Sequence, residues 1–387
     1  MMRKLPIKKL IVFMVLLAVM GLIGVTMWAD TVVEKVQQDV AAHAEKNLRV
    51  PAFDSIVYTP IWIEYLKKQP DNGKPDIGMF GSSTVFGTTV KDGWNTPSGI
   101  LQVHLNDKRV LNLGLSGGRL VETYAIIASM VDEIDYVIYE INYGILSVTD
   151  NDPGVTVYPA LLSKLDQNIP RGWLDGFSRK DKQSVPSSIH DSMTTGVLNN
   201  WTLYHDRDVL SYHFFKTRTS TEKIRREIQE IRDQKKGIKP TYTPLFSPYD
   251  KLKAHQQEGI VKHFTALYKW DKPFDKNNSF GLFMMGKTLD LLDKHNKKAL
   301  FFTAPLDTQL IAEHEMLNWS DYDTVMGAYQ ELIESRGYPF IEFNKEKTNL
   351  IPHKYYHDPS HLIDKGSNMF GEILYERLKT FGITNTQ

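Results

Sequence analysis

The sequence predicts an α/β domain built on a mostly parallel sheet, held behind one N-terminal transmembrane helix. Three observations predict it. Five short apolar runs each end at Gly, Pro or Asn, helical patterns lie between them, and an uncharged apolar stretch follows a basic N-terminus. Apolar runs of this length, rich in β-branched and aromatic residues, suit central parallel strands buried on both faces. Strands alternating with helices make a layered α/β domain.

The N-terminal element comes first. Arg3, Lys4, Lys8 and Lys9 precede the apolar residues 10–28, and a helix needs roughly 20 such residues to cross a bilayer core. The basic cluster is expected on the cytoplasmic side, which places everything after Asp30 outside. The alternative is a cleaved secretory signal, whose apolar region runs only about 7–15 residues and ends at small residues. The run here is longer, and Met27-Trp28-Ala29 is a poor cleavage site. An uncleaved anchor is therefore preferred, and under either reading the working part lies outside the cytoplasm. Residues 1–9 become a cytoplasmic tail, 10–28 the anchor, 31–50 a polar helical stalk, and 51–387 an extracytoplasmic domain.

Within that domain, strands are expected at 76–80, 109–113, 136–141, 298–303 and 339–343. Helical patterns cover 120–131, 280–295 and 322–336. The rhythm is interrupted from about 149 to 275 by aromatic and proline-rich pieces and one charged helix at 220–236. Its alternating charges read as a solvated face. This stretch is expected to be an insertion that packs over the sheet and shapes a substrate cleft, or else a separate domain.

Composition narrows the function classes. Of 387 residues, 42% are hydrophobic, enough for one substantial core with insertions or two modest domains. Net charge is zero, so no excess of Lys and Arg is available to neutralise phosphates, and no nucleic-acid partner is expected. There are no cysteines, which removes disulfides, thiolate metal sites and a cysteine nucleophile. Such a chain suits a bacterial envelope protein folding outside the cytoplasm.

Three blocks carry chemistry. Ser83, in Phe80-Gly81-Ser82-Ser83-Thr84, follows a strand in a glycine turn. A serine there is placed to act as nucleophile, and the following helix offers free N–H groups to an oxyanion. The bland reading is an ordinary Gly-Ser-Ser turn. Asp358-Pro-Ser-His361, with Gly366 beyond it, lets the carboxylate curl back onto the imidazole Nδ1–H and leaves Nε2 free for a serine proton. Asp358 is equally a good helix N-cap, and the two readings are compatible. Asn112-Leu-Gly-Leu-Ser-Gly117-Gly118 follows another strand; its turn can present a backbone N–H to the same oxyanion, or serve only as a tight strand-to-helix connection.

Taken in chain order, Ser83 first, residues 112–118 second and residues 358–361 last, the blocks resemble the SGNH/GDSL hydrolase superfamily. Its first block is Gly-Asp-Ser-x, its second Asn-x-Gly-x-Ser-Gly, and its last Asp-x-x-His with a glycine shortly after. The resemblance implies a three-layer α/β/α, flavodoxin-like domain without metal or cofactor. It places Ser83, Asp358 and His361 as a catalytic triad, with an oxyanion hole from the backbone N–H groups of Ser83 and Gly117. Two positions depart from the pattern. Ser82 stands where the commoner block has Asp, whose carboxylate would brace the turn; a hydroxyl braces it less. The third block supplies an asparagine side chain to the oxyanion; here Asn142, in Glu140-Ile-Asn-Tyr-Gly144, matches it approximately and otherwise reads as a turn asparagine.

The Gly-Ser-Ser variant, the single anchor and the length of the exterior domain look like the DltD-type proteins of lipoteichoic acid D-alanylation. More loosely they resemble SGNH proteins that partner membrane-bound O-acyltransferases in polysaccharide acetylation. This implies acyl-ester chemistry, by hydrolysis or transfer, on an acylated envelope polymer or acyl carrier, with a membrane O-acyltransferase as partner. The alternative is a non-catalytic SGNH-fold binding or scaffold subunit of such a system. His353 and His357 have a metal-ligand spacing, but Pro352 and Pro359 bracket them and no third ligand is evident, so His357 is expected to line the cleft. Trp94, Trp173 and Trp201 read as core or surface aromatics with the capacity to stack on sugar.

Overall fold

The computed structural model describes residues 7–51, 55–69, 76–151, 201–215 and 245–382. In chain order its elements are α1 (Ile7–Asn47), α2 (Ser55–Lys68), β1 (Asp76–Phe80), α3 (Ser83–Phe86), α4 (Pro97–His104), β2 (Arg109–Asn112), α5 (Leu120–Met130), β3 (Tyr136–Ile141) and α6 (Tyr143–Asn151). They continue with α7 (Thr202–His205), α8 (Arg207–Phe215), α9 (Ala254–Leu267), α10 (Phe280–Lys294), β4 (Lys298–Thr303), α11 (Thr308–Glu313), α12 (Trp319–Ser335), β5 (Phe340–Ile341) and α13 (Asp364–Thr380). Most of the expected insertion, with the charged segment at 220–236 and Trp173, lies outside the described residues, as do residues 1–6. The chain divides into two units, residues 1–40 with 179–239, and residues 41–178 with 240–387.

The first unit is organised on α1, which runs unbroken from the apolar stretch into the segment expected as a stalk. Among the described residues it is the one helix long and apolar enough to cross a membrane. Its large apolar side chains over residues 10–28 are 44–65% exposed, far more contiguous apolar surface than a soluble face carries. The Trp201 indole N–H donates to Thr26 Oγ1 at 2.9 Å, and Trp28 stacks on Phe214 with centroids 5.4 Å apart. Trp201 is thus engaged with α1 rather than held out for a sugar.

The second unit contains a five-stranded sheet, all parallel, in the order β2-β1-β3-β4-β5. The first four expected strands are present almost to the residue. The fifth shortens to Phe340–Ile341, because only these two pair with Phe301 and Phe302. Alternation along the strands splits their side chains between two cores. On one face Ile77, Met79, Val110, Ile138, Leu300 and Phe302 join Leu101 and Leu105 of α4 and Phe370, Leu374 and Leu378 of α13. On the other, Tyr139 packs on Phe301, with ring centroids 5.4 Å apart, and its hydroxyl is hydrogen-bonded to Thr123 of the wholly buried α5. Burial on both faces is why these strands read as continuous apolar runs.

The strand order reverses between β1 and β3. In open parallel sheets, ligands bind at the carboxyl ends of strands flanking such a reversal. Ser83 follows β1 and Asn142 follows β3, so both leave the sheet at that point.

Arg49, just past α1 and within the second unit, is buried against the C-terminal end of α3. Its guanidinium donates to the carbonyls of Phe86 at 3.1 Å, Gly87, and Val90 at 2.6 Å, and lies 5.5 Å from the Phe86 ring centroid. Helix ends lack further N–H partners for their carbonyls, and this side chain supplies them. Arg49→Met keeps the aliphatic stem but strips the donors from buried carbonyls. It is expected to cost about 3 kcal/mol of stability, read as a lowered urea midpoint.

Candidate active site

β1 delivers the chain to the sheet edge through Gly81. A side chain there is excluded: a Cβ would lie 2.4 Å from Glu140 Oε2 and 2.7 Å from Glu140 Cβ, and the residue's φ is +158°. Ser82 is extended, and Ser83 opens the single turn of α3, closed by Phe86 N–H on the Ser82 carbonyl and Gly87 N–H on the Ser83 carbonyl. Gly87 ends the turn in the left-handed region at φ +77°. Gly114 lets the exit of β2 pass the turn, since a Cβ would come within 2.6 Å of Phe86 N. Asn112 fastens the back of the turn, donating to the Val85 carbonyl at 3.0 Å and to Ser98 Oγ at 2.9 Å.

Asp358 and His361 sit in a loop closed on itself. Tyr356 and Leu362 form an antiparallel bridge, His357 N–H donates to the His361 carbonyl at 2.8 Å, and Ile363 N–H donates to the Tyr355 carbonyl at 3.0 Å. The loop is pinned from the N-cap of α11, where Asp307 N–H donates to the Pro359 carbonyl at 2.9 Å. Asp358 Oδ1 accepts the backbone N–H groups of Ser360 at 3.0 Å and His361 at 2.9 Å. This is an Asx-type turn. α13 begins only at Asp364 with Ile363 at its N-cap, so Asp358 caps no helix.

The same carboxylate reaches the ring. Both of its oxygens lie 2.8 Å from His361 Nδ1, and Ser83 Oγ lies 2.6 Å from His361 Nε2. A carboxylate only accepts, so Nδ1 carries the proton and Nε2 offers its lone pair to the Ser83 hydroxyl. The His361 side chain keeps 17% exposure, against 9% for Asp358, so the serine end of the hydrogen-bond chain is the more reachable one.

Electrostatics favour this polarity. Burial pushes the Asp358 carboxyl up, but the charge of His361, its hydrogen bond and His357 outweigh it, and the carboxyl is held below its ordinary value. Burial pulls the His361 imidazole down; the charge and hydrogen bond of Asp358, with a further contribution from Glu140, outweigh it and raise the imidazole above 6.5.

The other two expected positions divide. Gly117 lies in the left-handed region at φ +74°, in a turn closed by Gly118 N–H on the Leu115 carbonyl. That turn is laced to the Ser83 turn: Leu115 N–H donates to the Gly81 carbonyl at 2.9 Å, and Thr88 Oγ1 donates to Ser116 Oγ at 2.9 Å. Asn142 also arrives beside the serine turn, but its amide donates to Ser82 Oγ at 3.1 Å and to Glu140 Oε1 at 3.3 Å. Its Oδ1 accepts Gly144 N–H at 3.1 Å, starting α6. Of the two readings of Asn142, the turn asparagine is the one seen: it makes a helix-start turn and braces Ser82, with its amide hydrogens turned to Ser82 and Glu140.

No sequence signal singled out Glu140 as functional, yet it is a second buried carboxylate of the site beside Asp358. Its carboxylate accepts Ser82 N–H at 2.7 Å, Ser82 Oγ at 3.0 Å and the Thr84 hydroxyl, besides Asn142. A lone carboxylate inside an apolar strand run was the available clue, since such a group demands partners.

Among the described residues, His361 borders two spaces. One, about 20 Å³, is lined by Ser83, Val85, Phe302 and Phe370 among others, room for about one water. The other is a groove of about 380 Å³ along α9, bordered by His263, Phe264, His357 and Asp358. His357 lines this groove while its Nδ1–H donates to the Ser247 carbonyl at 2.7 Å. His353 instead bridges Asp307 at 2.5 Å and Asp250 at 2.9 Å. The two histidines at metal-ligand spacing are therefore engaged by different groups. Trp94 is 41% exposed and donates its indole N–H to the Lys46 carbonyl at 2.9 Å.

In comparisons with known proteins, no family model matches the chain and no curated protein matches it.

Proposed function

We propose that this protein is a membrane-anchored, extracytoplasmic serine esterase or acyltransferase of SGNH type. Its substrates are acyl esters of a cell-envelope polymer, or of a carrier that feeds one. The observation that carries the reading is the hydrogen-bond chain from Ser83 Oγ through His361 to Asp358 at the switch point of a parallel sheet. Helices against both sheet faces and the strand order 2-1-3-4-5 agree with a three-layer, flavodoxin-like domain. The apolar helix behind a basic tail supports an anchor with the domain outside.

The chemistry proceeds in two steps. His361 Nε2 takes the Ser83 proton as Oγ bonds to the acyl carbon, and the oxyanion is met by the backbone N–H groups of Ser83 and Gly117. Collapse breaks the bond to the leaving group, which takes the proton from His361, and the acyl group stays on Ser83. An alcohol of the polymer, or water, then gives its proton to His361 and attacks the Ser83 ester. Oγ departs and recovers the proton. Asp358 remains ionised throughout and holds the imidazolium.

The test is a fluorophosphonate probe on the purified full-length protein, with the adduct located by peptide mass spectrometry. An adduct on Ser83 is expected; an adduct only on another serine would overturn the assignment. The orientation of the Asn142 amide toward Ser82 and Glu140 favours a second reading, a non-catalytic SGNH-fold subunit of a membrane O-acyltransferase system. That reading expects a folded protein that takes no label.

A further inference from the structure

A buried carboxylate persists only where donors surround it. The four donors on Glu140 are not scattered. Two belong to Ser82 and one to Thr84, the neighbours of Ser83 on either side, and the fourth is the Asn142 amide that also holds Ser82. The missing Cβ of Gly81 is what admits the carboxylate so close to the turn. Fixing residues 82 and 84 fixes the backbone of the residue between them, and with it the direction of Oγ toward His361.

We infer that Glu140 is a positioning residue for Ser83, whose carboxylate replaces, from the neighbouring strand, the one that position 82 lacks. The inference rests on the hydrolase reading above. The carboxylate does not touch substrate in this role; its acceptor sites are filled by the turn it holds. It also places a negative charge near His361. Among the described residues, the charged groups acting on that ring are Asp358 from its own loop and Glu140 from β3; His357 lies beside Asp358, and His263 of α9 borders the same groove.

A carboxylate swap tests it. Glu140→Gln, Ser82→Asp and the double variant Ser82→Asp/Glu140→Gln are compared with wild type for fluorophosphonate labelling rate across pH and for melting temperature. Glu140→Gln is expected to label about a hundredfold more slowly, as a misplaced nucleophile does. Its acid limb should move to lower pH, because loss of a nearby negative charge makes His361 easier to deprotonate. Ser82→Asp sets two carboxylates within hydrogen-bond distance in a buried site and is also expected to fall. The double variant, with one carboxylate again and an amide facing it, should recover to within about tenfold of wild type. Recovery in the double separates positioning from a general loss of folding. The inference is overturned by a Glu140→Gln protein with wild-type rate and pH profile, or by a double variant no faster than the slower single. A wild type that fails to label sinks the hydrolase reading and this one with it; a labelling wild type beside an unchanged Glu140→Gln sinks the positioning role alone.

Discussion

Ser83→Ala is expected to lower turnover of an activated ester by about a million-fold while leaving the protein folded. On the proposed mechanism the substitution removes the atom that bonds to the acyl carbon, and among the described residues no other hydroxyl is hydrogen-bonded to His361 Nε2. The structural cost is small, because Oγ contributes a single hydrogen bond, to His361, at a partly exposed position. That bond is worth about 1 kcal/mol, so the melting temperature should shift by only a few degrees. Ester turnover and a melting curve on the same preparation decide the matter. A Ser83→Ala protein that retains its rate would remove Ser83 from the mechanism; one that unfolds would show that Oγ is structural.

Asp358→Asn should have the next largest effect, a drop of about ten-thousand-fold in turnover. The loop should survive, since the Asn oxygen still accepts the N–H groups that Asp358 Oδ1 accepts from Ser360 and His361. What changes is the proton. An amide donating to Nδ1 drives the ring hydrogen to Nε2, where it faces Ser83 and cannot take its proton.

The pair also makes stability and activity respond oppositely to pH. The Asp358 carboxyl is lowered from 3.8, so its contribution to stability is fully present above that value and is lost as pH falls through the folded value. The His361 imidazole is raised from 6.5, so its contribution is fully present below 6.5 and is lost as pH rises through the folded value. The ion pair therefore stabilises the fold most between 3.8 and 6.5, whereas general-base catalysis needs the neutral ring and grows above that window. The difference in melting temperature between wild type and Asp358→Asn should be largest near pH 5 and shrink toward pH 9. A difference independent of pH would deny the pair its charge.

Among the described residues the expected helices and strands emerged with small changes of length, save β5, cut from five residues to two; the helix expected at 220–236 lies outside them. A strand buried on both faces must be apolar along its whole length, and that constraint is written locally. α12 starts at Trp319, earlier than the expected 322, because Asn318 caps it by accepting Ser320 N–H at 3.0 Å. The apolar helix was equally legible, being a matter of length and composition. Asp358 and His361 lie three residues apart, so their pairing is a property of one short loop that the sequence could suggest.

The partners of buried polar groups were a different matter. By itself the sequence determined an α/β chain with a parallel-type strand rhythm and one long apolar helix, and it nominated the few residues proposed as nucleophile, base and orienting acid. Only the tertiary structure decided that Ser83 and His361, 278 residues apart, share a hydrogen bond. It alone decided that Asn142 turns its amide to Ser82, that Glu140 rather than residue 82 carries the bracing carboxylate, and that Arg49 closes the end of α3. The physical reason is that apolar burial depends on a residue's own periodic position. A buried polar group is satisfied by whichever donor or acceptor the fold brings within about 3 Å, and sequence separation places no limit on which one that is.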